Sequence, residues 1–122
     1  MSFKNKKIVE RMIKVFGSKN CNMHISYIDD DIKWNIIGMP TISGKKEFLN
    51  AINSQQIENF TSSQIKNIIS EGEFVVVEST GSTSCKNINQ VSPLYCDIYR
   101  VTNGKLCELT TYIIDTALNN EN

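Results

Sequence analysis

The stretch Pro93–Asp115, PLYCDIYRVTNGKLCELTTYIID, decides how the rest of the chain is read. Two strand-like segments, Leu94–Thr102 and Lys105–Ile114, flank Asn103-Gly104. That dipeptide favours a tight hairpin turn because both central positions need positive φ. In the first segment Tyr95, Asp97, Tyr99 and Val101 share one face, and Leu94, Cys96, Ile98 and Arg100 share the other. Both faces are largely apolar, so both need cover. One acid, Asp97, stands inside the first strand, and another, Asp115, closes the second.

Working backwards, Phe74–Lys86 and Thr61–Ser70 read as two more long strands, divided from each other by Glu71-Gly72 and from the hairpin by the polar 87–92 loop. The chain ahead of them is helical in pattern. Ile8, Val9, Met12, Ile13 and Phe16 form two adjacent columns on one face of a helix spanning Lys4–Phe16, with Gly17 as its C-terminal cap. Asn20 or Asn22 caps a shorter second helix in which Cys21, Ile25 and Ile28 share a face, ending before Asp29-Asp30-Asp31. Ile32–Ile37 is β-prone, Gly38-Met39-Pro40 breaks it, and Ser43 offers an N-cap to a third helix over 44–54 with Phe48, Leu49 and Ile52 on its apolar edge. Helices followed by an antiparallel meander predict an α+β fold, with helices on one face of a curved sheet. Because helices cover only one face, the other, with Cys96, Ile98, Tyr112 and Ile114, is expected to pair with a second copy as a homodimer.

Composition narrows the function classes. With 122 residues and 40% hydrophobic content, the expectation is one domain over 1–122, burying roughly two-thirds of its unfolded surface. Thirteen Lys and Arg balance thirteen Asp and Glu, so no net field favours nucleic acid or an anionic membrane. No apolar run approaches the roughly 18 residues of a membrane span, and no signal-peptide core is evident, so a cytoplasmic location is expected. The four cysteines, Cys21, Cys85, Cys96 and Cys107, lack zinc spacing and are read as reduced thiols. The single histidine, His24, lies off its helix's apolar stripe and is read as structural. Neither a metal nor a cofactor is expected.

Three stretches taken together resemble the nuclear-transport-factor-2-like superfamily, and within it the SnoaL-like and ketosteroid-isomerase-like proteins. They are Tyr27–Asp31, Gly38–Lys45 and Cys96–Leu106, and the resemblance runs over nearly the whole chain. It implies a cone in which three N-terminal helices close a strongly curved antiparallel, in part mixed, sheet over an apolar pocket. In the isomerases that pocket holds an aspartate base, a helical tyrosine and a protonated aspartic acid. The position of the base carries Asn35 here, and that of the tyrosine carries Arg11 or Met12, whereas Asp97, three residues before Arg100, matches the protonated acid. In SnoaL-like cyclases an acid near the end of the last strand acts as base, a position matched by Asp115. The histidine that accompanies it has no counterpart, since His24 lies in another element.

Alternation and the family register together define an expected pocket. Tyr95, Tyr99 and Val101 accompany Asp97. Cys107, Leu109, Thr111, Ile113 and Asp115 face it from the last strand, Val76, Glu78 and Thr80 from the preceding one, and Met12 and Asn35 from the remaining elements. Acids sharing an apolar cavity raise one another's pKa, so a proton donor and a base can coexist. Asp115 is then the base and Asp97 the donor, with Glu78 a candidate for either role. The expected ligand is a small hydrophobic molecule, bound with or without cofactor-free acid-base chemistry of isomerase, cyclase or dehydratase type. The alternative is a non-catalytic binding or dimeric assembly domain, in which Asp97 bonds a tyrosine hydroxyl, Glu78 pairs with a lysine and Asp115 meets solvent. Trp34 faces away from Asn35 and is read as packing in a core or an interface.

Overall fold

Asn103 and Gly104 adopt φ of 54° and 81° in the computed structural model, and the hairpin they close joins β5 (Leu94–Thr102) to β6 (Lys105–Ile114). The structure describes residues 2–18, 26–52, 64–80 and 94–114. Ahead of the hairpin come α1 (Ser2–Ser18), β1 (Ile28–Ile36), the short β2 (Ile42–Ser43), α2 (Lys45–Ile52), β3 (Gln64–Glu71) and β4 (Phe74–Thr80). The strands form one sheet in the order β2-β1-β6-β5-β4-β3, in which only the β1–β6 pairing is parallel.

Of the three helices expected, two are present among the described residues. The segment assigned to the second lies mostly outside those residues. Its described end, Ser26-Tyr27, is a single tight turn, and Ile28 already pairs with Leu106 as the start of β1. The three aspartates therefore fall within β1 rather than before it. The ladder to β6 slips between Ile28 and Lys33 to accommodate them, and the Asp31 amide donates to Asp29 Oδ2 at 2.9 Å. A bulge is a favourable place for acids that an ordered strand disfavours. It leaves Ile28 and Ile32 both buried, with Lys45 paired to Asp30 at 3.4 Å.

The core lies on one side of the sheet. Ile8, Val9 and Met12 of α1 pack over β3 and β4, and Phe48 and Ile52 of α2 over β1, against Trp34, Val75, Val77, Tyr99, Val101, Leu106 and Leu109. Asn5 fastens α1 to one end of this layer, its amide donating to the carbonyls of Gly72 at 3.0 Å and Val101 at 3.4 Å. No helix among the described residues is long and apolar enough to cross a membrane.

Candidate functional site

β5 sits between β4 and β6, so Asp97 is flanked by Val77 on one side and Thr111 on the other. All three face the helix-covered, concave side, where Tyr95 and Tyr99 stand two residues either way along β5. Thr111 is buried, and its hydroxyl donates to Asp97 Oδ1 at 2.6 Å. The Thr111 hydroxyl oxygen in turn accepts the indole N–H of Trp34 at 2.9 Å. A hydroxyl has one proton to give. With Trp34 occupying an acceptor site on Thr111, that proton is directed at the carboxylate. Trp34 is in turn held edge-on by Phe48, with ring centroids 5.4 Å apart. The result is a chain of two hydrogen bonds from the core under α2 to an acid on the concave face.

Burial dominates the electrostatics of this acid. Removal from water raises the Asp97 pKa from 3.8 to about 6, against a smaller lowering by the Thr111 hydrogen bond. Burial, and after it the Asp97 charge, also pushes the Tyr95 and Tyr99 phenols upward, so both are neutral donors at physiological pH.

Several expected pocket members lie elsewhere. Val76, Glu78 and Thr80 point away from the concave side, because Val77 is the residue opposite Asp97 and Val75, Val77 and Ser79 are the buried set. Glu78 lies opposite Cys96 on the outer face and accepts from the Asn67 amide at 2.7 Å, so it shares no cavity with Asp97. Cys107 is displaced by a bulge between Arg100 and Val101 that pairs Val101 with Leu106. Leu106 takes the inward place, and the Cys107 thiol lies beside the Arg100 carbonyl and the Thr102 hydroxyl. Asn35 is also outward, donating to Glu108 at 3.2 Å and accepting from Thr41 at 3.0 Å.

Tyr95, Tyr99, Leu109 and Thr111 do lie with Asp97, and Met12 belongs to the core cluster beneath α1. Ile113 shares the concave register opposite Tyr95 but is 52% exposed. Asp115 and His24 fall outside the described residues. Trp34, absent from the expected pocket, is in the network. Its signal was the alternation of Ile32 and Trp34 with Lys33 and Asn35. Among the described residues no group of three or more His, Cys, Asp or Glu is placed to hold a metal ion.

The sheet order, the helices on one side and an acid in the middle of β5 can be set beside known proteins. The SnoaL-like domain family matches residues 9–109. The chain belongs to that family. Among solved structures, this SnoaL-like domain is similar to an NTF2-like protein of unknown function from Cytophaga hutchinsonii ATCC 33406, with a TM-score of 0.73, 23% identity, and 89% of this chain and 98% of that one covered. It is also similar to a protein assigned provisionally as a ketosteroid isomerase from Kribbella flavida DSM 17836, with a TM-score of 0.77, 9% identity, and 92% and 78% covered. An LEH-like epoxide hydrolase from M. tuberculosis gives a TM-score of 0.77 at 14% identity, with 98% and 89% covered. These likenesses show the fold. No curated protein matches the SnoaL-like chain in sequence.

Proposed function

We propose that this SnoaL-like domain binds a small hydrophobic molecule on its concave face, with the Asp97 carboxylate as the polar group that meets it. The observation that carries this reading is the Trp34–Thr111–Asp97 hydrogen-bond chain, which fixes a desolvated acid among Tyr95, Tyr99, Val77 and Leu109. Thr111 donates to Asp97, and that favours the ionised form. With a pKa of about 6 Asp97 is mostly ionised at neutral pH, and in that form it is a hydrogen-bond acceptor, and a base toward a ligand with an acidic C–H, rather than the protonated donor of the ketosteroid-isomerase pattern. Such chemistry needs no cofactor.

The concave face is tested with the neutral dye Nile red. Ile113→Arg, a charge placed beside Tyr95, should weaken dye binding by about tenfold or more, while Ile69→Lys on the outer face leaves it unchanged. The opposite ranking would move the binding surface to the outer face.

A second reading, an assembly role for that outer face, rests on its cross-strand rows. Ile69, Val76 and Ile98 line up across β3, β4 and β5, Cys96 faces Tyr112, and Leu94 faces Ile114. Ile69 and Ile114 are 64% and 53% exposed, and between the rows runs a groove of about 260 Å³ lined by Ile69, Val76, Cys96 and Ile114 together with Asn67 and Glu78. The rows cross four adjacent strands, a breadth suited to a homodimer interface of about 800 Å² per partner. Arg100, paired with Glu73 and set over Phe74, borders the apolar rows and supplies a polar rim. Light scattering at micromolar concentration should give a dimer for the wild type and a monomer for Ile69→Lys. A monomeric wild type would end the assembly reading.

A further inference from the structure

Among the described residues Asp97 carries the only charge on its part of the concave face, and none of them forms an ion pair with it. Its one hydrogen bond among the described residues comes from the neutral Thr111 hydroxyl to Oδ1, and no described residue donates to Oδ2. The surroundings can be taken element by element. β4 presents Val75, Val77 and Ser79, β6 presents Leu109, Thr111 and Ile113, β1 presents Trp34, α1 presents Met12, and α2 presents Phe48. Tyr95 and Tyr99 are the titratable groups that share its face of β5, and both phenols are neutral, while Cys96 and Arg100 of the same strand lie on the opposite face. Among the described residues the basic side chains lie elsewhere. Arg100 is committed to Glu73, Lys45 to Asp30, and Lys33 sits exposed on β1 among outward residues.

A carboxylate held out of water without a counter-charge is costly, and aromatic faces around it attract cations. A carbonyl would bring an acceptor to an acceptor, whereas an ammonium brings both charge and donors. We propose that the hydrophobic ligand is an amine: a compact primary or secondary ammonium ion with an apolar body, its N–H groups on Oδ2 of Asp97 and its apolar part against Tyr95, Leu109 and Ile113. This rests on the small-molecule reading above and names the ligand class for that site.

Trp34 is the only tryptophan in the chain, and its indole lies two hydrogen bonds from Asp97. Its fluorescence and its indole ¹H–¹⁵N signal therefore report on the site. Three probes of one shape, benzylammonium, benzyl alcohol and benzoate, are titrated at about pH 7.5 into wild type and Asp97→Asn. Benzylammonium should bind about tenfold more tightly than benzyl alcohol, benzoate least, and the Asn variant should lose the preference. In the wild type alone, benzylammonium affinity should fall as pH drops through about 6 while that of the alcohol stays flat. An alcohol that binds as well as the amine, or an amine preference that survives Asp97→Asn, overturns the ammonium assignment and leaves the hydrophobic-ligand reading standing. Failure of all three probes to bind overturns both.

Discussion

Asp97→Asn should unfold at a higher urea concentration than the wild type at about pH 8, by roughly 2–3 kcal/mol. The sign follows from the two pKa values. In the folded chain Asp97 titrates near 6 and in the unfolded chain near 3.8, so the folded state holds its proton more tightly. The stability this contributes is complete below pH 3.8 and is lost as pH rises through 6. Above that the ionised group costs the native state about 3 kcal/mol, reduced somewhat in the comparison because asparagine forms a weaker bond with Thr111 than a carboxylate does. Asparagine keeps the shape and an acceptor for the Thr111 hydroxyl while removing the charge. Urea unfolding curves collected across about pH 4–8 should therefore slope downward for wild type and run flatter for the variant. A flat wild-type profile, or a variant less stable at high pH, would refute this account. A residue whose removal stabilises the fold while abolishing ligand discrimination belongs to a site held at the expense of stability.

Phe48→Ala is the second large effect, a loss of about 3–5 kcal/mol. Phe48 is 0% exposed and packs edge-on against Trp34, so truncation both opens a cavity and frees the indole. Because Trp34 holds the Thr111 hydroxyl in place, the damage should reach Asp97, with Trp34 emission moving to longer wavelength and the Asp97 titration broadening. Phe48→Leu should cost about 1 kcal/mol and keep the native emission. Thermal unfolding measures both, and a cost below about 1 kcal/mol for Phe48→Ala would show that the Trp34 anchor lies elsewhere.

The hairpin was legible because Asn103-Gly104 fixes its turn, and with it the inward set Tyr95, Asp97, Tyr99, Leu109 and Thr111. Helix α1 was legible for its periodicity, although it runs through Gly17 to Ser18 rather than stopping at that glycine. The inward set of β4 was not. Val75-Val76-Val77 has no alternation to read, and the segment joining β4 to β5 is too long to set a register, so a slip of one residue exchanged Glu78 with Ser79. Cys107 was misplaced for another reason, since strict parity takes no account of a bulge. At Asn35 two signals conflicted. Family position drew it into the pocket, while the alternation of Ile32 and Trp34 with Lys33 and Asn35 turned it out, and the alternation held. Asp115 falls outside the described residues.

The parallel pairing of β1 with β6 governs the order in which the molecule is made. Ile28 lies beside Leu106 and Trp34 beside Leu109, so the first long strand has only the two-residue β2 for a neighbour until the last strand arrives. On a ribosome, α1, β1 and α2 emerge with Trp34 and Phe48 able to meet each other, but the remainder of their core, Tyr99, Val101, Leu106 and Leu109, is completed only when β6 has left the exit tunnel. The bond from Trp34 to Thr111 spans the same interval. Asp97 thus remains an ordinary hydrated acid throughout synthesis and becomes a poised one only when the sheet closes behind it.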